Sequence, residues 1–423
     1  MRHLFKVIFL CSLFLLNCEQ SEIAELHIEP GAAVYLAQAR FNESKGEDGK
    51  KDSAPGTARL EIYTIHGNHW HQQIIEDPES SAFHKAGRFK PTAGQPGILS
   101  IGAPPTSLRL WRRDGDDWKS HPLYDTASGV DFGLDGDFDY FCDYEIADIT
   151  GNGIEDIVLA AHDPGSIVVL AWENGTYRPE EVFSLETGSI HEIEVGDVDG
   201  DGSIELFATC IESTRGNLNI QPCSIDVFVV GEGRWKQRQV DHFETRHARE
   251  ILCANLSGED HPVLFTAIEG ENDFITLRMY RFDGAQITPA DIAEIPGRLC
   301  RFLTLGDTDG DGIRELIAST GKNGIWKITP PVDGKDSWSK ELILTGTSGI
   351  QHATELYDFN GDGIDEIYVA SDDQNQLRSY WHTGKEYTVS ILGMLDIRST
   401  TFNITAHRLE PNNLEASVEH DHH

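Results

Sequence analysis

Hydrophobic and polar residues alternate in short runs along most of the chain. In residues 59–65 and 69–75 apolar and polar side chains broadly alternate, with the polar turn His66-Gly67-Asn68 between them. Such a period-two pattern, broken by turn residues, predicts two strands of a hairpin. Residues 32–41 form an earlier apolar strand, and residues 42–56 follow as a polar loop without periodicity. Later groups of runs have the same form: 97–103, 107–112 and 118–123, then 192–196, 204–210, 225–230 and 235–240, and finally 367–370, 376–381 and 387–391. No amphipathic helix of useful length interrupts them. The pattern predicts an all-β protein.

Between the first and second strands of these groups lies a recurring nine-residue segment. Its copies are Asp148-Ile-Thr-Gly-Asn-Gly-Ile-Glu-Asp156, Asp197-Val-Asp-Gly-Asp-Gly-Ser-Ile-Glu205, Asp307-Thr-Asp-Gly-Asp-Gly-Ile-Arg-Glu315 and Asp358-Phe-Asn-Gly-Asp-Gly-Ile-Asp-Glu366. Oxygen-bearing side chains occupy the first, third, fifth and ninth positions, and glycines the fourth and sixth. A loop that turns alternate side chains inward and closes with a carboxylate wraps a hard cation, and the glycines take its sharp turns. Calcium suits it, because the seventh residue (Ile154, Ser203, Ile313 or Ile364) adds a backbone carbonyl and the geometry is irregular.

The copies are spaced about fifty residues apart, with about four strands to each repeat, which is the signature of propeller blades. The double-width gap between Asp197 and Asp307 holds a degenerate copy, residues 255–263, where Pro262 and Val263 displace the closing pattern. Upstream, residues 92–97 stand in the place of a loop. Residues 32–75 supply three strands without an innermost one, and residues 401–409 form a lone strand at the other end. The expectation is a seven-bladed β-propeller over residues 31–410, its ring closed by the strand at 401–409.

With 34 basic and 70 acidic residues, the net charge is −36. A phosphate backbone would be repelled, so nucleic acid is excluded as a partner. Arg2, His3 and Lys6 lead into the apolar run 7–16, too short to span a bilayer, so residues 1–18 form an export signal. Leu15-Leu16-Asn17-Cys18 resembles a bacterial lipobox, which would leave Cys18 lipidated and the protein held to a membrane by its lipid anchor only; simple secretion is the alternative. Residues 19–30 are a tether, and residues 411–423 a flexible tail ending in Glu419-His-Asp-His-His423. Of the remaining cysteines, Cys210 and Cys223 flank a polar stretch and suit a disulfide in an oxidising compartment. Cys253 is a small buried hydrophobe.

The four loops resemble the FG-GAP or VCBS repeat of integrin α-subunits and of secreted bacterial proteins. The resemblance implies calcium held by Asp197, Asp199, Asp201 and Glu205, by Asp307, Asp309, Asp311 and Glu315, and by Asp358, Asn360, Asp362 and Glu366. It implies a weaker site at Asp148, Thr150, Asn152 and Asp156. In that family the loops lie on one face of the disc and ligands bind the other, and calcium staples a hairpin rather than doing chemistry.

The residues opening the innermost strands should therefore gather at the channel mouth opposite the loops. Counting back six from each loop gives Cys142, His191, Arg249, Arg301 and His352, and counting back eight gives His247 and His84. This set suits an anion, because guanidinium groups grip carboxylates and histidine adds a proton donor. A transition metal held by His191, His247 and His352 with Cys142 or Cys300 is the second reading, and the nearby arginines disfavour it. A third is that these residues, with Glu194 and Glu355, only hydrogen-bond blade to blade. Function divides likewise. One reading is a monomeric binding module for an acidic glycan or a protein ligand. The other is a lyase acting on uronate-containing polysaccharide, with arginine neutralising the carboxylate, His191 or His352 as base and Tyr140 or Tyr144 as acid. Propeller lyases of sulfated algal polysaccharides and a fungal ketosugar dehydratase are similar in outline. Trp111, Trp118, Trp172, Trp235 and Trp338 recur in the outer strands as blade-packing residues.

Overall fold

The computed structural model describes residues 28–409 apart from 46–50, 68, 104–105, 116, 126–139, 163–164, 213–221, 232–233, 271–272, 285 and 333–336. The export signal, Cys18, most of the tether and the tail lie outside the described residues. The chain opens with β1 (Ala32–Lys45), β2 (Lys51–His66) and β3 (His69–Asp77), then β4 (Ala82–Phe89), β5 (Gly97–Ala103), β6 (Ser107–Asp114) and β7 (Asp117–Asp125). Four-stranded antiparallel sheets follow in sequence. They are β8 (Phe141–Ala147), β9 (Asp156–Ala161), β10 (Ser166–Glu173) and β11 (Thr176–Ser184), then β12 (Ser189–Gly196), β13 (Glu205–Ile211), β14 (Cys223–Gly231) and β15 (Arg234–Phe243). Next are β16 (His247–Ala254), β17 (Val263–Glu269), β18 (Phe274–Asp283) and β19 (Gln286–Pro296), and after them β20 (Cys300–Gly306), β21 (Glu315–Thr320), β22 (Ile325–Thr329) and β23 (Ser339–Leu344). The last sheet is β24 (Thr354–Tyr357), β25 (Glu366–Ser371), β26 (Gln376–His382) and β27 (Tyr387–Met394), and β28 (Ser399–Arg408) ends the described chain.

β28 returns to pair antiparallel with β1, from Ala32↔Arg408 to Arg40↔Ser399. The sheet of β1 to β7 therefore has eight strands, but its two halves meet through a single pair, Ala39↔Ala82. The innermost strands pack side by side in the cyclic order β28, β4, β8, β12, β16, β20, β24 and back to β28. The fold is thus a β-propeller of blade-like sheets around an axis, as the period of the sequence implied. Second strands, covered by neighbours on both faces, are buried along the whole of β9 and β13 and largely apolar after their opening carboxylates, while the outer strands β11 and β15 mix exposed and half-buried positions. Trp111 and Trp118 pack in the core of the first blades, Trp235 and Trp338 against later ones, and Trp172 lies edge-on to Tyr177.

Two expectations are corrected. The polar loop 42–56 is largely strand: after a register shift, β1 and β2 keep pairing from Phe41↔Pro55 to Lys45↔Lys51. The ladder needs only backbone groups, so it outruns the side-chain alternation that signals it. The Cys210–Cys223 disulfide does not form. Cys210 lies opposite Ser224 and Cys223 opposite Ile211, which puts the two thiols on opposite faces of the sheet. Cys223 Sγ instead accepts from the Ala248 N–H at 3.0 Å, on the neighbouring blade.

Where each innermost strand runs into its loop, the blades come close. A Cβ at Gly196 would collide with Cys253 Sγ of the next blade, and one at Gly306 with Asp365, with Leu356 only 2.8 Å away. Gly196→Val is therefore expected to lower unfolding free energy by about 1–3 kcal/mol, the usual cost of overpacking. Urea denaturation followed by tryptophan fluorescence measures it, with Gly175→Val, at an open turn, as the control for the glycine change itself.

Candidate functional site

The residues at the axial mouth owe their direction to β-bulges. Each of five innermost strands breaks register with its neighbour at the same level: between Phe83 and Lys85, Phe141 and Asp143, Ile190 and Ile193, Ala248 and Glu250, and Cys300 and Phe302. β28 breaks likewise against β1, skipping Phe402. The unpaired residues are His84, Cys142, His191 with Glu192, Arg249, Arg301 and Phe402. A bulge leaves its extra residue out of the ladder and re-aims its side chain. All of them line one axial cavity of about 280 Å³.

Aromatic rings form one wall of that cavity. His84 stacks on Tyr140 with centroids 4.6 Å apart and lies 4.6 Å from Phe402, and Tyr140 stacks in turn on His162 at 4.9 Å. Opposite, Arg301 Nη1 approaches His191 Nε2 at 3.3 Å, and Arg301 Nε lies 3.3 Å from Glu269. Arg249 Nε donates to His247 Nδ1 at 3.0 Å. Burial pushes the imidazoles down, His84 to about 3 and His247 to about 4, and both Arg301 and Arg249 press His191 well below its ordinary value. Each of these shifts favours the neutral imidazole. Arg249 is itself lowered, by burial first and then by Arg301.

Carboxylates surround the lower part of the channel. Asp143 accepts from the Ile193 N–H at 3.0 Å and Glu250 from the Leu303 N–H at 2.8 Å, each reaching across to the next blade. Lys85 bridges Asp143 at 2.8 Å and Glu145 at 2.6 Å. Glu192 differs: among the described residues its carboxylate has a single near partner, His191 Nδ1 at 3.9 Å. Burial, Asp143 and Glu250 hold Glu192 well above the usual carboxylate range.

The cavity opens toward a wider cleft of about 1070 Å³ that shares Arg249 and Arg301 with it. Arg246, His247, Arg298 and Lys322 add to the basic side, against Glu269 and Asp273. In a chain of net charge −36 this is a concentrated positive surface.

His191, Arg249, Arg301, His84 and Cys142 therefore meet as expected, with His247 beside Arg249. His352 does not join them. It is fully buried at φ 54°, with Nε2 2.9 Å from Thr347 Oγ1 and Nδ1 2.8 Å from the Thr320 carbonyl. β24 starts only at Thr354 and has no bulge, so Gln351 reaches the cavity in its place. Tyr144 is buried away from it, its hydroxyl toward the Leu99 carbonyl, and only Tyr140 remains as a phenol at the mouth. The transition-metal reading loses its sulfur: Cys142 Sγ donates to the Ile190 carbonyl at 3.1 Å, and buried Cys300 faces the Phe302 carbonyl. Sequence counting missed His162, Lys85, Asp143, Glu192 and Glu250. The last four each follow a bulge residue or belong to the bulge, and strict alternation had assigned such neighbours to the opposite face.

On the other face, the nine-residue loops are built as expected. In the Asp307 loop Gly310 and Gly312 take φ 80° and 82°, and the Gly312 N–H donates to Asp307 Oδ2 at 2.8 Å. The closing carboxylate accepts the Thr308 N–H through Oε2, while Glu315 Oε1 is buried without a hydrogen bond. Glu366 Oε1 and Asp197 Oδ1 are left in the same way. Without a cation, burial pushes Glu315 to about 7 and Glu366 to about 8. Asp197, Asp199 and Glu205, and likewise Asp307, Asp309 and Asp311, place their oxygens within 4.8 Å of one another, so these acidic clusters are able to hold a metal ion. A hard divalent ion fits oxygens left unsatisfied in this way. The Asp148 loop differs, because Asp156 spends both oxygens on the protein: Oδ2 on Thr150 and Oδ1 on the Trp172 N–H.

Residues 148–208 match the family profile described as an FG-GAP-like repeat. Among solved structures, the periplasmic gluconolactonase PpgL of Pseudomonas aeruginosa is similar at TM-score 0.51 and 12% identity, over 89% of this chain and 100% of that one. An Agrocybe aegerita lectin that recognises non-reducing terminal N-acetylglucosamine is similar at TM-score 0.49 and 12% identity, over 90% and 96%. No curated protein matches the sequence.

Two outcomes follow from this geometry. Chelation of divalent ions is expected to lower the melting temperature by about 5 °C, with recovery on adding calcium, since a ligand of the folded state stabilises it. In scanning calorimetry, Glu315→Gln and Glu366→Gln should shrink that shift and Asp156→Asn should not. His352→Ala is expected to destabilise the fold by about 1–3 kcal/mol through the stranded Thr347 and Thr320 groups, measured by chemical denaturation.

Proposed function

We propose that this chain, a β-propeller of the FG-GAP-repeat family, binds a carboxylate-bearing ligand, in the first instance an acidic glycan, at the axial mouth. The observation that carries the reading is the convergence of Arg249 and Arg301 with Arg246, Arg298 and Lys322 on one cleft of a strongly acidic chain. Partly desolvated guanidinium groups set side by side gain most from an arriving carboxylate, which both can grip. Neutral His191 and His247 add hydrogen bonds without adding charge. The disc serves as a rigid mount. Counting the two halves of the eight-stranded sheet separately gives seven blades, with calcium in the Asp197, Asp307 and Asp358 loops stiffening the face opposite the ligand. Export by the segment 1–18 and anchoring through Cys18 place this monomeric receptor outside the cytoplasm.

A second reading, turnover by β-elimination, is favoured by one observation: His191 is held neutral, as a base must be, beside an arginine and within reach of the Tyr140–His162 stack. In it, Arg301 neutralises the uronate carboxylate, His191 takes the neighbouring carbon-bound proton and Tyr140 protonates the departing oxygen.

Titration calorimetry with a uronate polymer tests the binding. Arg249→Ala and Arg301→Ala should each weaken it about tenfold or more, and affinity should fall with salt. His352→Ala should leave it unchanged. Full affinity in both arginine variants would overturn the mouth as the site. Absorbance of unsaturated products separates turnover from binding alone.

A further inference from the structure

The axial cavity is polar in two opposite senses, and that asymmetry narrows the ligand. One side is the Arg249 and Arg301 wall shared with the outer cleft. The other holds Glu192, whose carboxylate, unlike Asp143 and Glu250, is not committed to the backbone of the next blade. A single imidazole separates the two charges: His191 Nε2 faces Arg301 at 3.3 Å and its Nδ1 faces Glu192 at 3.9 Å. That Nδ1 is buried without a hydrogen bond. The same small cavity that Glu192 lines also carries the wall of rings from Phe402 through His84 and Tyr140 to His162.

A ligand carrying only a carboxylate would satisfy the arginines and leave Glu192 as an uncompensated carboxyl in a confined space. A carboxylate next to aromatic faces is the arrangement that receives an ammonium group, by ion pairing and by attraction to the rings. Lys85 supplies this charge only from a distance, because its ammonium contacts Asp143 and Glu145 rather than Glu192. The position of Glu192 at a bulge, level with His191 rather than below it, brings both charges within one small ligand's length.

Resting on the reading of the mouth as a carboxylate site, we infer that the bound end of the ligand is zwitterionic: its carboxylate lies on Arg249 and Arg301 and an ammonium group reaches past His191 to Glu192. The raised proton affinity of Glu192 in the free protein agrees with this, since an arriving cation would relieve it. A cavity of about 280 Å³ admits one sugar ring or one amino acid and no more. The two sources of this chemistry are an amino-bearing uronic acid and an amino acid whose ammonium is carried at the far end of a chain from its carboxylate, since an α-ammonium stays too close to the carboxylate to pass His191.

Calorimetry on the whole exported chain, with probes of one skeleton, decides the matter: pentanoate, pentylamine and 5-aminopentanoate, then 2-amino-2-deoxyglucuronate against glucuronate for the sugar source. The zwitterions are expected to bind at least about tenfold tighter than their matched anions. Glu192→Gln should erase that advantage while leaving the anions' affinity intact, and Arg301→Ala should weaken both classes. Equal binding of anion and zwitterion by the wild-type protein would overturn the inference and leave the carboxylate reading standing. Binding of neither would overturn both. The wild-type comparison needs no variant, so a Glu192→Gln protein that fails to fold does not obscure the answer.

Discussion

Innermost strand ends drawn toward one axis leave little room, and most of the molecule's other features answer that crowding. At the loop end of the innermost strands, glycines such as Gly196 and Gly306 let adjacent blades touch. At the other end the strands cannot keep full register with their outer neighbours, and they relax through bulges. Around these breaks, backbone N–H groups need partners. Those of Ile193 and Leu303 find them in Asp143 and Glu250 of the preceding blade. One geometric limit thus produces the close contacts, the inward-facing side chains and the cross-blade hydrogen bonds together.

The same crowding sets the electrostatics. Carboxylates accumulate in the channel, where Glu194, Glu250 and Glu355 all stand above their ordinary values because they are buried. Glu250 among them staples the next blade, while among the described residues Glu355 bonds only the Leu356 N–H beside it. One cation, Lys85, is embedded among them with its ammonium on Asp143 and Glu145. Among the described residues lining the axial cavity, the arginines are Arg249 and Arg301, which also face the open cleft, where Glu269 moderates the charge of Arg301. The axis therefore runs from a positive entrance to an acidic interior over the length of a few side chains.

Much of this was legible in the residues alone. The fifty-residue period and the nine-residue loops fixed which strands are innermost, and that register located His191, Arg249 and Arg301. What escaped was local. Alternation places successive side chains on opposite faces, so Glu192 was invisible beside His191, although both belong to one bulge. His352 obeys the count but not the structure, because a left-handed residue ahead of a four-residue strand turns its ring into the wall. Cys210 and Cys223 suggested a bridge by proximity in sequence, and one step of strand register separates them.

The repeated bulge has an evolutionary corollary. A residue left out of the ladder carries no pairing duty, so its side chain can be exchanged without changing how its sheet is assembled. Its successor does carry one wherever, as at Asp143 and Glu250, it holds the neighbouring blade. β8 and β16 thus each set a replaceable position directly beside a constrained one. A scaffold of this kind can acquire new ligands by single substitutions around the rim, with the recognition surface diverging much faster than the ring beneath it.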